Sequence, residues 1–366
     1  LLSKIIAITG SCGKTSLKEL LGKTLRIFFK TSYSPKSYNN KFGVPLSLFN
    51  LNQKDDFGIL EVGMDKKGEI DTLSKIIKPD IGIITNISYA HAKNFKNIKQ
   101  IAKAKAEIMN NIKDNGTIIL NADDKFFAYH KKIALEKNLK VYSFGLENKQ
   151  SNIKLNNIEK KGKKFKLNLT IDYKKIYFYL CNDYENNIKN FLAALAAINL
   201  FINVQNLSKN IFYNIKTPAG RGDISKLRIH NKNIFFIDES YNSNPLSLNS
   251  AIKNFDKMKV KKSKKYLILG DMLELGKHSK RLHLPISNTI NNTSIDKVSV
   301  IGKYILKTYK DIYKSKKGSI IKKTSHIIDL IKNDLNNNDY LMIKGSNSTG
   351  LNKIANILKN RKIDAL

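Results

Sequence analysis

Ile5-Ile6-Ala7-Ile8-Thr9-Gly10-Ser11-Cys12-Gly13-Lys14-Thr15-Ser16 is the stretch on which the reading of this chain turns. An apolar run of strand length meets two glycines, and a helical pattern follows from about Ser16 to Phe29. Strand, glycine loop and helix in that order gather backbone N–H groups and the positive end of a helix dipole at one spot, which suits a polyphosphate. Gly10, Ser11 and Gly13 would line the cradle, with Ser16 beside them at the helix start. Lys14 would reach the outer phosphates, and the Thr15 hydroxyl would meet Mg²⁺. The loop is narrower than the usual Walker pattern, whose four-residue spacing would need glycine where Ile8 stands.

Working outward, strand patterns at Gly58–Val62, Asp80–Thr85, Thr117–Leu120 and Lys140–Phe144 alternate with helical ones. The helices are expected near Glu69–Ile77, Asn97–Ile112 and Asp124–Lys137. That alternation predicts a parallel α/β sheet. Three runs, Ile153–Glu159, Lys164–Ile171 and Lys174–Leu180, switch to a period of two and predict a small antiparallel β segment. Helices are expected over Asn187–Ile202 and Leu207–Asn214, before a boundary turn at Thr217-Pro218-Ala219-Gly220. Strand patterns then recur at Ile234–Asp238, Tyr266–Leu269, Lys297–Ile301 and Tyr340–Ile343, with a closing helix near Leu351–Asn360. The fold class is therefore α/β: a P-loop ATPase domain over residues 1–222 and a Rossmann-like domain over 223–366. A length of 366 residues agrees with two domains.

Composition narrows the function classes. At 42% hydrophobic and 26% charged residues, the chain is globular rather than disordered. Its longest apolar run, Phe191–Ile202, is too short to span a membrane and reads as a buried helix. Cys12 and Cys181 are too few for a disulfide framework, so a reducing cytoplasm is expected. The net charge of +35 suggests a polyanion partner, yet of 65 basic residues only Arg26, Arg221, Arg228, Arg281 and Arg361 are arginines. Base and phosphate readers rely on arginine forks, whereas this lysine excess accompanies abundant asparagine and isoleucine along the whole chain. No nucleic-acid partner is expected. A nucleic-acid-stimulated ATPase is the reading from another class, and the lack of interleaved aromatic and basic residues counts against it.

Three more groups could complete a metal site. Glu61 ends an apolar strand, where a carboxylate points into the ligand crevice of a parallel sheet. His91 follows the strand ending at Thr85-Asn86, and Lys105 lies in the helical run Ile101–Ile108. Each has an ordinary alternative: a surface histidine, a solvated helix lysine. Their order behind a phosphate loop makes the set informative.

Taken together, these motifs resemble the Mur ligase family of ATP-dependent amide-forming enzymes. The matching segments are Gly10–Ser16, Asn39–Leu46, Glu61–Ile70, Pro79–His91, Ile101–Ile108 and Asn121–Asp124. They continue with Gly220–Gly222, Asp238–Asn242, Gly270–Gly276 and Lys344–Ser346, so the likeness spans nearly the whole chain. Within the family, Glu61-Val62-Gly63-Met64 with Gly68-Glu69-Ile70, the Gly270–Gly276 segment and Lys344-Gly345-Ser346 resemble the members that join D-alanyl-D-alanine to UDP-N-acetylmuramoyl-tripeptide. The third-residue-adding ligase and folylpolyglutamate-type ligases are the alternatives.

The resemblance implies ATP as cosubstrate, an acyl phosphate intermediate and two Mg²⁺ ions. Lys14, Glu61, His91, Lys105 and Arg221 would be the catalytic set. Thr15 and Glu61 would hold one ion, with His91 and a carbamylated Lys105 holding the other. Asn187 would meet adenine, Arg221 the phosphates and Asp238 the ribose. Asn39, Asn40, Tyr241, Asn242, Lys344 and Ser346 would contact the other substrates. A cytoplasmic monomer without a membrane span is expected. Two departures stand out: Tyr184-Glu185-Asn186-Asn187 replaces the family's Gly-x-His-Asn, and the chain starts at the ATP-domain strand. It is therefore expected to be a piece lacking the family's N-terminal UDP-binding domain.

Overall fold

Ile5–Thr9 is buried at every residue, and strands buried on both faces need helices on both sides. The computed structural model describes residues 4–52, 54–215, 218–260 and 262–360. Its contacts divide the chain into two units, Leu1–Ser88 with Asn94–Lys216 and Tyr89–Lys93 with Thr217–Leu366. The first unit runs β1 (Lys4–Thr9), α1 (Lys14–Leu25), β2 (Thr31–Tyr33), α2 (Gly43–Phe49), β3 (Phe57–Glu61), α3 (Glu69–Ile77) and β4 (Ile81–Ile84). It continues with α4 (Ile98–Ala106), β5 (Thr117–Asn121), α5 (Phe127–Glu136), β6 (Lys140–Gly145), β7 (Ile153–Lys161), β8 (Lys164–Ile171), β9 (Lys174–Leu180) and α6 (Glu185–Asn199).

One nine-stranded sheet carries the unit, in the order β2-β3-β1-β4-β5-β6-β7-β8-β9. Pairing is parallel from β2 to β7 and antiparallel over β7, β8 and β9, so the expected antiparallel segment extends the parallel sheet. Strand order reverses at β1, which lies between β3 and β4 with Ile8 opposite Glu61 and Thr9 opposite Ile84. Such a switch point leaves a crevice outside the carboxyl ends of the strands. Leu17, Leu21 and Leu25 of α1 and the apolar run of α6 bury one face of the sheet. Each such leucine, isoleucine or phenylalanine contributes roughly 1.5–3 kcal/mol through removal from water.

Asp80 ties the amino ends of β1 and β4 together. Its carboxylate accepts from Ile5 N at 2.9 Å, Lys113 Nζ at 2.8 Å and Lys4 Nζ at 3.3 Å. Partial burial alone would raise its pKa, but these donors outweigh it and hold the carboxyl below its ordinary value. A depressed native pKa means stability that is present above the unfolded value, about 3.9, and lost as pH falls through the native one. Asp80→Asn is expected to lower stability at pH 7 by about 1 kcal/mol. In urea melts the deficit should shrink below about pH 4.

The second unit runs β10 (Asp223–Ile229), β11 (Lys232–Glu239), α7 (Pro245–Lys257), β12 (Lys265–Gly270), α8 (Ser279–His283) and α9 (Ile286–Asn291). It ends with β13 (Lys297–Ile301), α10 (Ile305–Lys310), β14 (Lys317–Ile320), α11 (His326–Asp334), β15 (Tyr340–Lys344) and α12 (Leu351–Lys359). The sheet order is β10-β11-β15-β12-β13-β14, parallel except for the β10–β11 hairpin. The fold class read from the sequence is the one observed.

Local departures have local causes. The first helix stops at Leu25, where the chain turns and Phe29 packs edge-on against Phe57 at 4.9 Å. The helix expected over Leu207–Asn214 is absent; turns replace it, because Lys209 O accepts from Tyr179 N on edge strand β9 and Phe212 inserts beside Phe178 and Phe191. The long helix over Asn97–Ile112 ends as α4 at Ala106 and continues as a tighter 3₁₀ turn over Glu107–Asn111. Within the expected boundary turn, Thr217 lies outside the described residues and Gly220 adopts φ +74°. Among the described residues no helix is long and apolar enough to cross a membrane.

Candidate active site

The loop after β1 is built as a cradle. Gly10 has φ +143° and Gly13, capping α1, has φ +83°. A Cβ on Gly10 would lie 1.9 Å from Thr85 Oγ1, and one on Gly13 would lie 2.5 Å from Asn190 Oδ1. Both glycines are therefore required by close approach as well as by backbone conformation. The segment after β4 clamps the loop: Ser11 N donates to Asn86 O at 2.9 Å and Cys12 N to Asn86 Oδ1 at 3.0 Å. Thr85 Oγ1 donates to Cys12 O at 2.6 Å, and Ser11 Oγ donates to Ser88 O at 2.9 Å. Lys14 folds over this loop, its Nζ 3.0 Å from Gly10 O, and Ser16 is half-buried on the first turn of α1. Gly13→Ala should lower stability by about 1–2 kcal/mol from the left-handed backbone alone. Displacement of Asn190 should add to that, read as a lowered Tm together with weakened nucleotide affinity.

An oxygen-rich pocket adjoins the loop. Thr15 Oγ1 donates to Glu61 Oε2 at 2.8 Å and lies 3.2 Å from Ser37 Oγ. Glu61 Oε1 accepts from Asn39 Nδ2 at 2.7 Å, and Gly63 N donates to Asn39 O at 2.7 Å. Thr15 and Glu61 are buried, and their donors are all hard oxygens of the kind Mg²⁺ takes. The family resemblance paired Thr15 with Glu61 and named Asn39, while Ser37, Thr85 and Asn190 went unassigned. No spacing pattern marks Ser37 or Asn190, because the chain brings them in from a loop and a distant helix.

Lys105 is 1% exposed on α4, whereas Lys103 on the same helix is exposed. Burial pushes the Lys105 ammonium well below its ordinary pKa, Lys14 pushes it further, and Cys12 opposes. The amine is thereby readied for its neutral, nucleophilic form. Asn40 lies just ahead of α2, with Oδ1 accepting from Gly43 N at 2.9 Å and Phe42 N at 3.1 Å. Asn187, on the first turn of α6, donates to Asn182 Oδ1 at 3.0 Å.

The remaining candidates belong to the second unit. His91 sits in the 89–93 segment with φ +54°, its Nδ1 2.6 Å from Glu274 Oε2. The histidine hydrogen bond holds Glu274 below the usual carboxylate range, and a carboxylate there orients the ring as it does for metal-bound histidines. The carboxyl ends of β11 and β15 gather most of the others. Lys344, 1% exposed, donates to Glu239 Oε2 at 3.0 Å and to Asn242 O at 3.1 Å. Ser346 Oγ lies 3.3 Å from Ser243 O and accepts from Leu273 N at 2.8 Å. Arg221 stacks over the Tyr241 ring at 4.4 Å, and the flanking glycines bond to this edge through Gly222 N→Asp238 O and Tyr241 N→Gly220 O. Asp238 is buried, with Oδ1 taken by Ser240 and Oδ2 2.5 Å from Lys359 Nζ. Lys359, on the last helix, and Glu239 were not singled out from the sequence.

Comparison with known proteins follows the same division. The Mur ligase middle domain family matches residues 8–198, and the family described as "Mur ligase, glutamate ligase domain" matches residues 226–347. A UDP-N-acetylmuramoyl-tripeptide--D-alanyl-D-alanine ligase of Buchnera aphidicola subsp. Acyrthosiphon pisum is 35% identical, over 98% of this chain and 78% of that protein. The crystal structure of MurF from Acinetobacter baumannii superposes with a TM-score of 0.86 at 26% identity, covering 98% of this chain and 77% of that one. MurF ligase from Thermotoga maritima, solved in complex with ADP, shares the fold with a TM-score of 0.82 at 20% identity, over 98% and 80% of the two chains.

Proposed function

This chain belongs to the Mur ligase family, and from that premise we propose that it joins D-alanyl-D-alanine to UDP-N-acetylmuramoyl-tripeptide at the expense of ATP. The observation that carries the chemistry is the Thr15–Glu61 pair, set at the switch point of the sheet directly behind the glycine cradle. The tripeptide carboxylate attacks the γ-phosphorus of ATP, and ADP leaves. The dipeptide amine then attacks the acyl carbon, phosphate departs with the C–O bond electrons, and the amine proton is lost.

This chain's own groups do the positioning. The positive end of α1, behind the glycine cradle, and the Lys14 ammonium receive the phosphates and offset their charge. Thr15 and Glu61 would hold a Mg²⁺ ion, and a carbamylated Lys105 would supply an anionic oxygen to a second; His91 is the family's other ligand. Bound there, the ions would neutralise charge on the transferring phosphoryl group. Asn187 is proposed for adenine. In the second unit, Arg221 would serve phosphate, Asp238 the ribose, and Tyr241, Asn242, Lys344 and Ser346 the incoming dipeptide, with Asn39 and Asn40 toward the acceptor.

ADP release measured with the UDP-linked tripeptide and a panel of amines tests the reading. Turnover is expected with D-alanyl-D-alanine and not with single amino acids, and unaffected by DNA or RNA. Turnover with a single amino acid instead would transfer the chain to a third-residue-adding or folylpolyglutamate-type activity.

A further inference from the structure

Among the described residues of the first unit, Lys18 is the most deeply buried lysine, 0% exposed, one turn beyond Thr15 on the same face of α1. Burying an ammonium is expensive unless hydrogen bonds repay it, and an apolar side chain would fill the space more cheaply. Its Nζ donates to Ser34 O and to Lys36 O, each at 2.5 Å, and lies 3.5 Å from Glu19 Oε1. Both carbonyls belong to one segment, residues 34–39, which has no strand or helix of its own. Lys36 in that segment takes φ +46°, a left-handed conformation that a side-chain-bearing residue adopts at a penalty.

The same segment delivers the groups around the Thr15–Glu61 pair. Ser34 Oγ accepts from Glu61 N at 3.3 Å, Ser37 Oγ lies 3.2 Å from Thr15 Oγ1, and Asn39 donates to Glu61 Oε1. We propose that Lys18 is a positioning residue: through two main-chain carbonyls it fixes the 34–39 strap, and thereby aims Ser37 and Asn39 at the metal-holding pair. Lys18 touches neither phosphate nor metal in this role. It acts as the outer partners of metal ligands do, by setting the orientation of groups nearer the ion. The proposal rests on the reading of Thr15 and Glu61 as Mg²⁺ ligands.

The test measures binding rather than turnover. Wild-type and Lys18→Met chains are titrated calorimetrically with a nonhydrolysable ATP analogue, in Mg²⁺ and in EDTA, and hydrogen exchange is followed over residues 34–43 and 61–64. Lys18→Met is expected to lose about 10- to 100-fold of the Mg²⁺-dependent gain in affinity. Its affinity in EDTA should stay near wild type, while exchange rises in the strap and at Gly63, whose N–H bonds to Asn39 O, and is unchanged in β8 and β9. Lys18→Gln, which keeps a donor of shorter reach, should fall between the two, and it carries the test if Lys18→Met does not fold. A variant that retains the full Mg²⁺ gain overturns the proposal, as does an equal loss with and without the metal. If wild type itself shows no Mg²⁺ gain, the metal reading fails instead; strap exchange then judges Lys18, and unchanged exchange in the variant rejects it.

Discussion

Lys14→Ala should reduce ATP-dependent ligation by at least about two to three orders of magnitude, the scale set by removing one preorganised charge-stabilising group. The side chain leaves α1 at the end of the glycine cradle and returns over Gly10 O, a contact between loop atoms rather than core packing. Stability should therefore change by no more than about 0.5 kcal/mol, as for surface substitutions generally. The combination is the diagnostic: an unaltered melting curve with turnover near zero at saturating ATP. Wild-type turnover in the purified variant would remove the phosphate role from Lys14 and with it the reading of the loop.

Lys105→Ala should be nearly as damaging, and it should be reparable. A lysine ammonium has no lone pair and repels Mg²⁺, whereas the neutral amine adds to CO₂, releases a proton and leaves a carbamate with anionic oxygens suited to a hard cation. The structure supplies the prior condition, since burial foremost, and Lys14 next, press the pKa of Lys105 well down. With the native pKa lowered, the reactive neutral form persists to lower pH than for an exposed lysine. Activity should accordingly fall in CO₂-depleted buffer and return with bicarbonate, and a carbamate carbon should appear by NMR with labelled bicarbonate. Formate or acetate should partly rescue Lys105→Ala by occupying the vacated ligand position. Lys103→Ala, altering an exposed neighbour, should behave as wild type. Wild-type activity in Lys105→Ala without any additive would refute the carbamate.

Most strands were legible in the sequence because their apolar runs are continuous, as strands covered by helices on both faces must be. Lys164–Ile171 and Lys174–Leu180 were read to the residue, since exposed hairpins show a clean period of two. Short elements escaped. β2 has three residues and β14 four, too few to display any period. Helix α2 was hidden by Pro45 in its first turn, a position where proline is well tolerated. The Leu207–Asn214 segment has helical periodicity, yet the unpaired edge of β9 and the aromatic cluster around Phe212 drew its backbone elsewhere.

The sequence alone determined the phosphate loop and the α/β class, because each rests on local spacing or on apolar runs of strand length; the Thr15–Glu61 pairing came from the family resemblance. Tertiary structure decided everything that depends on segments far apart in the chain. It buried Lys105 and left Lys103 exposed, set Asn190 against Gly13, and brought Ser37 to Thr15 beside the segment that Lys18 holds. It also joined Lys344 to Glu239 and Lys359 to Asp238, 105 and 121 residues apart. The reason is physical: a side chain's burial and partners are fixed by which strands pair and which helices cover them, and pairing at that range leaves no trace in local periodicity.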